Sequence, residues 1–122
     1  MAVVACLAGG GVVVRLAAVF TLAWTHSVQR TEWRETWRAT PAGLELVEVR
    51  VEGSGAGMEP PDGAELRDGF YVAHPRLPAQ PEVLLRRSGA TADWRVCVAG
   101  SCRPVGALLP EAADPVRLAT CD

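Results

Sequence analysis

Lysine is absent from this chain, and arginine fills every basic position. Twelve arginines stand against fourteen acids, for a formal charge of -2. Residues 1–61 carry five Arg and six acids, and residues 62–122 carry seven and eight. Neither half is basic enough to draw in a phosphate backbone, which argues against a nucleic-acid partner. Also missing is an apolar run of the roughly 20 residues that span a bilayer. The opening MAVVACLAGGGVVVRLAAVF is broken by Arg15 and has no positive segment before it. It predicts neither a membrane span nor a complete signal peptide, so any export segment is expected to be absent or removed from this chain. There is no G-x-S-x-G elbow, and the glycine loop GSGAGMEPP lacks the Lys-Ser/Thr of a phosphate-binding loop. No internal repeat or boundary divides the 122 residues, which read as a single domain, 1–122.

What is present begins with four cysteines, Cys6, Cys97, Cys102 and Cys121, which allow three complete pairings. In RVCVAGSCRPV, two turn residues at Ala99-Gly100 place Val98 opposite Ser101 and Cys97 opposite Cys102. In a non-hydrogen-bonded pair the Cα atoms then come to roughly 4.5 Å, within reach of a disulfide. Cys6 and Cys121, near the two ends, remain to pin the termini. That arrangement points to an oxidising compartment. A zinc site is the competing use of four sulfurs, since a Cys-x4-Cys spacing sits at the margin of known ligand separations.

Short valine-rich runs separated by Gly and Pro predict an all-β chain, a small antiparallel β-sandwich or partly open barrel stapled by disulfides. Strands are expected at 2–8, 12–17 and 19–28, the first pair joined at Gly9-Gly10-Gly11. Along 19–28, Phe20, Leu22, Trp24, His26 and Val28 share one face. Residues 31–39 could be strand or helix, and their surroundings favour strand. Trp33, Glu35, Trp37 and Ala39 then share one face, with Glu32, Arg34, Thr36 and Arg38 forming a solvated charged face. Residues 40–43 read as a turn and 44–52 as a strand. The apolar phase of that strand slips near Leu46 and Val47, which predicts a β-bulge. A loop over 53–65, a short strand around 70–72, an extended proline connector over 75–81, and strands at 82–87, 94–98, 101–105 and 116–120 complete the expectation.

The stretch WTHSVQRTEWRETW, residues 24–37, gathers the candidate functional side chains. His26 and Ser27 are adjacent, so a strand sends them to opposite faces and they make no nucleophile–base pair. Ser54 with His26 or His74 is a weak alternative. A metal site could draw on His26, Glu35 and His74, although no short diagnostic spacing links them. Trp24, Trp33 and Trp37 read either as core or, with Glu35, as a binding cup with an acidic end. The glycine loop, with Gly55, Gly57 and Met58, offers either an anion-binding nest of backbone amides or a series of positive-φ turns.

The segments FTLAWTHSVQRTEWRETWR (20–38), GSGAGMEPPDGAELRDG (53–69) and DWRVCVAGSCRPV (93–105) resemble the DUF1850 family, a small bacterial and archaeal group. The positions that resemble its motifs are Trp24, His26, Ser27, Val28, Gly55, Ala56, Gly57 and Met58. The resemblance implies a periplasmic or otherwise extracytoplasmic accessory role beside a TAXI-type TRAP solute transporter. The implied partners are the membrane component or the solute-binding protein, with a dicarboxylate-like solute as one implied ligand. It implies no catalytic residues and no cofactor. The expected function is therefore an interaction or binding module using Trp24, His26, Ser27, Trp33, Glu35, Trp37, Gly55, Gly57 and Met58. The alternative is a small hydrolase, metal-dependent or not, using His26 with Glu35.

Overall fold

The computed structural model describes residues 3–25, 31–52, 63–87 and 92–121. It shows two antiparallel sheets packed face to face, a sandwich rather than a barrel. The strands are β1 (Val4–Gly9), β2 (Val12–Arg15), β3 (Val19–Thr25), β4 (Glu32–Thr40), β5 (Gly43–Glu52) and β6 (Glu65–Arg67), then β7 (Phe70–Ala73), β8 (Glu82–Leu85), β9 (Arg95–Val98), β10 (Ser101–Pro104) and β11 (Val116–Cys121). The small sheet has the order β2-β1-β11-β8, and the large sheet β10-β9-β3-β4-β5-β7-β6. The expected strands are present, some shorter than their apolar runs. Residues 31–39 form strand, paired along β4 with both neighbours. Two elements were not anticipated: β6, whose first residue had been placed in the loop, and a 3-10 helix at Val105–Ala107 after β10.

Alternation decides which side chains reach the core. Phe20, Leu22, Trp37, Ala39, Leu44 and Val96 of the large sheet meet Ala5, Leu7, Leu85, Val116 and Leu118 of the small sheet in one buried cluster. Val105 of the 3-10 helix, with Leu109 and Ala113, closes one side of it. The anticipated bulge lies where the phase slips. Thr36 pairs with Glu48 and Trp37 with Leu46, leaving Val47 as the extra residue. The bulge keeps Leu44 and Leu46 on the same face as Val49 and Val51. Without it, half of β5 would turn its apolar residues to solvent. At Gly43 (φ 129°) a side chain would collide with the Gln80 carbonyl. The bare backbone lets Leu44 and Gln80 exchange two hydrogen bonds of 2.7 Å, which fastens the proline connector to the sheet.

Both disulfides predicted from spacing are formed, Cys6–Cys121 with Cα atoms 5.9 Å apart and Cys97–Cys102 with Cα atoms 4.0 Å apart. Cys97 faces Cys102 across the β9–β10 hairpin, in the expected register. The turn puts Ala99 at φ 51° and Gly100 at φ 83°, the positive values a two-residue hairpin needs. Each bond joins neighbouring strands of one sheet, β1 to β11 or β9 to β10, so neither ties the two sheets together.

The passage between sheets is instead fastened by Arg87, which follows β8, and Asp93, which precedes β9. Arg87 donates through Nε and Nη2 to the two Asp93 carboxylate oxygens, at 3.1 and 2.9 Å. Its Nη1 donates to the carbonyls of Pro110 and Ala113, at 3.0 and 3.1 Å. Asp93 also accepts the backbone N–H groups of Trp94 (3.0 Å) and Gly106 (2.7 Å). Burial alone would raise the Asp93 pKa. The hydrogen bonds from Arg87, Gly106 and Trp94, with the Arg87 charge, outweigh that and hold the carboxyl below its ordinary range.

The Cys6–Cys121 bond spans a separation of 115 residues and Cys97–Cys102 a separation of 5. Loop-closure entropy then assigns them about 5 and about 2 kcal/mol. Denaturant melts of the two Cys→Ser pairs should show the terminal bond to be the costlier loss. Arg87→Ala should cost about 3 kcal/mol, because it strands Asp93 and several carbonyls, and Arg87→Lys should restore only a minor part. The Asp93 share of stability is present above about pH 4 and is lost as pH falls through the folded-state pKa. The gap between wild type and Asp93→Asn should therefore close in acid.

Candidate functional site

The register of the large sheet lines up side chains on its inner face in rows that run across the strands. The row nearest the core holds Phe20 opposite Trp37, and Trp37 opposite Leu46. The next places Val96, Leu22, Glu35, Val49 and Ala73 side by side. The outermost sets Trp24 opposite Trp33, Trp33 opposite Val51, Val51 opposite Tyr71, and Tyr71 opposite Leu66. Trp94, one residue before β9, extends this row beside Trp24. Trp24 and Trp33 stack with centroids 5.1 Å apart and planes 15° apart. Trp94 approaches Trp24 at 5.7 Å with a 53° tilt.

Trp37 belongs to the hydrophobic core, at 7% exposure. Trp24, Trp33 and Trp94 are half-buried; Trp94 packs against the core cluster, and Trp24 and Trp33 are not part of it. Trp94 was not among the residues singled out, although period two from Val96 and Val98 puts it on this face. It is also the most firmly held of the three. Its indole N–H donates to the Arg86 carbonyl at 2.9 Å, and its backbone N–H is anchored on Asp93.

Glu35 is half-buried, flanked along β4 by Trp33 and Trp37 and across strands by Leu22 and Val49. It is the one charged residue on the inner face of the five strands β9, β3, β4, β5 and β7. Among the described residues it has no ion-pair partner, and the nearest inward-facing cation of the sheet is Arg103 on the far edge strand β10. Burial pushes its pKa up, and the nearby Trp37 indole N–H only partly opposes the rise. The indole N–H groups of Trp33 and Trp37 are buried and make no well-aligned hydrogen bond among the described residues. The site thus combines a carboxylate without a counter-ion and aromatic surface without full cover.

The opposite face of the sheet is different in kind. Glu32 pairs with Arg95 and with Arg34 (3.2 Å), Arg38 with Glu45 (2.8 Å), and Arg50 with Glu48 (2.7 Å). Burial would raise the Glu32 pKa, but hydrogen bonds and charge from Arg95 and Arg34 leave it lowered. Here the solvated, charge-paired face expected of Glu32, Arg34, Thr36 and Arg38 is realised. His74 sits on this side, exposed, with Nε2 3.5 Å from Glu48. Glu35 and His74 therefore lie on opposite faces of one sheet and cannot share a metal ion. Among the described residues no group of three or more His, Cys, Asp and Glu is placed to hold one.

His26, Ser27, Gly55, Gly57 and Met58 lie outside the described residues, as do Val28, Ser54 and Ala56. Their points of attachment are nevertheless fixed. Residues 26–30 join Thr25 to Thr31, and residues 53–62 leave from Glu52. Both begin at the strand ends that carry the Trp24–Trp33–Val51 row. At this rim the Glu52 carboxylate accepts the backbone N–H of Glu32 at 3.3 Å.

Residues 20–105 match the family described as Domain of unknown function (DUF1850), and the chain belongs to that family. The matched stretch contains every strand of the large sheet, but only β8 of the small one. No curated protein and no solved structure matches the chain. Among the described residues no helix is long and apolar enough to cross a membrane.

The position of Glu35 has a consequence for stability. A carboxyl whose folded-state pKa is raised contributes stability that is fully present below its unfolded pKa, about 4.3, and is lost as pH rises through the folded value. Glu35→Gln should therefore raise stability at neutral pH by about 0.5–2 kcal/mol. The gain should vanish near pH 4 in melts across a pH series. A Gln variant no more stable than wild type at pH 7 would show that the carboxylate is not penalised.

Proposed function

We propose that this DUF1850 chain is an extracytoplasmic interaction module whose working surface is the aromatic end of the inner face of the large sheet. The row Trp94–Trp24–Trp33, with Glu35 behind it, carries the reading. Half-open indoles and an uncompensated carboxylate beside a closed core cost stability, and a partner or ligand would relieve that cost. His26, Ser27, Gly55, Gly57 and Met58, which lie outside the described residues, belong to the proposed surface on the strength of their sequence positions, in the segments that follow β3 and β5. Two disulfides support a location outside the reducing cytosol, the periplasm being the compartment that fits. The family resemblance supports a TAXI-type TRAP transporter as the system served, through its solute-binding protein or its membrane component.

The hydrolase reading keeps one supporting observation, the raised pKa of Glu35, a property shared with general acids. It loses His74 to the other face of the sheet, which leaves His26 as its sole histidine.

Capture from native envelope extract tests the interaction reading. Wild-type chain should retain a transporter component, and the double variant Trp24→Ala/Trp33→Ala should lose it. An Arg38→Ala/Glu45→Ala control on the opposite face should behave as wild type. Melting curves for each variant separate a lost surface from a lost fold. Equal capture by the folded tryptophan variant would remove this face from the function.

A further inference from the structure

The chemistry of the aromatic face indicates the charge of what it takes. An indole ring presents a negative face, so clustered tryptophans attract cations, most strongly where water is partly excluded. Three half-buried indoles stand together here, and the tilt of Trp94 against Trp24 makes the cluster a corner rather than a continuous stack. Glu35 is the one charge on this face of β9, β3, β4, β5 and β7, diagonal to Trp24 and two residues from Trp33, and the inward-facing Arg103 lies apart on the edge strand β10. No cation answers it among the described residues. A carboxylate-bearing ligand would meet like charge at this position, which sets the described surface against the dicarboxylate implied by resemblance.

We propose that Trp24, Trp33, Trp94 and Glu35 form a site for a small organic ammonium ion. This rests on the binding role of the same face and names its ligand class. A single carboxylate amid indoles offers too few oxygen donors for Mg²⁺ or Ca²⁺, which need six or more including water. An alkylated ammonium suits the surroundings better. Its charge meets Glu35 while its apolar substituents lie on the rings, and it gives up little hydration on entry. Binding would also convert the desolvation of Glu35 from a cost in the empty protein into an ion pair in the complex. The orientation of the rings is prepared in advance, because Trp94 is held by Arg86 and Asp93 and stabilises the position of Trp24.

Titration calorimetry of the full chain with choline chloride, and with the neutral isostere 3,3-dimethylbutanol, tests the assignment at constant ionic strength. Choline should bind saturably at millimolar concentration, at least about tenfold more tightly than the alcohol. Glu35→Gln should weaken choline by about tenfold and leave the alcohol unchanged, because it removes charge and not shape. Trp24→Leu, with folding checked by melting temperature, should weaken choline several-fold. Equal affinity for choline and the alcohol would overturn the proposal, as would unchanged choline binding in Glu35→Gln or no saturable binding by folded wild type. If choline fails while envelope capture still depends on Trp24 and Trp33, the ammonium assignment falls and the docking role stands. If capture also ignores those residues, both fall.

Discussion

The register in which β3 meets β4, with Trp24 opposite Trp33, decides which side chains share a face, and the remaining arrangement depends on it. With β3 held in place, one residue of slip would carry Trp33 and Trp37 of β4 to solvent and bring Arg34 and Arg38 inward. The register is held by burial on one side and on the other by the hydroxyl contact of Thr21 with Thr36 and the Glu32–Arg95 pair that reaches across β3, so both faces select the same alignment. β5 could not follow β4 at constant phase, since its leucines and valines fall on opposite parities. The extra residue at Val47 absorbs that mismatch and extends the inner face to Val51. Glu35 is then fixed on the inside by the same alternation that puts Trp37 in the core.

Covalent and polar fastenings divide the work of holding the fold. The disulfides stiffen strand pairs within each sheet, one of them joining the first and last strands. Between sheets the apolar cluster provides adhesion without direction, and Arg87 provides direction. Its planar guanidinium sets all three of its nitrogens against Asp93 and the carbonyls around Pro110 and Ala113, at an exposure of 11%. Asp93 passes that order to Trp94 through the backbone. The polar knot that aligns the crossover therefore also aims one wall of the candidate site, which is how a surface of large rings remains ordered.

Much of this was legible in residue order where the controlling forces are local. Period two assigned Trp33, Glu35 and Trp37 to one face, and the slip at Leu46 and Val47 marked the bulge. The spacing of Cys97 and Cys102 around Ala99-Gly100 set the hairpin register. Long-range pairing was not legible: β3 lies beside β9 across some seventy residues, and no local pattern encodes that choice. β6, reading Glu-Leu-Arg, has no apolar alternation to announce it and exists because β7 offers an edge. Arg87 reads as the last residue of the expected strand 82–87 and Asp93 as the residue before the next, and nothing local links them, because their partnership appears only in the folded chain. Trp94 left a readable signal in its parity with Val96, and its meaning depended on the unseen β3–β9 pairing. His26, Ser27, Gly55, Gly57 and Met58 lie outside the described residues.

A fold with consistent choices at every level would put an apolar residue at Glu35, where the neighbours across and along the strands are Leu22, Val49, Trp33 and Trp37. The carboxylate is out of keeping with each of them, and of the two flanking indoles only that of Trp37 turns its N–H toward it. Such a conflict between local chemistry and global packing is the expected signature of a site maintained for something other than stability. Its placement strengthens that reading. The cluster that joins the two sheets takes in Phe20, Leu22, Trp37 and Val96, with Trp94 packed against it, and Glu35 stands half-buried among these residues and the partly exposed indoles. There a charge is desolvated enough to interact strongly and open enough to be reached. The family match covers the large sheet that carries these residues, and omits three of the four strands that form its cover. The small sheet makes the inner face of the large one an interior, and the large sheet carries Glu35 and the half-buried indoles.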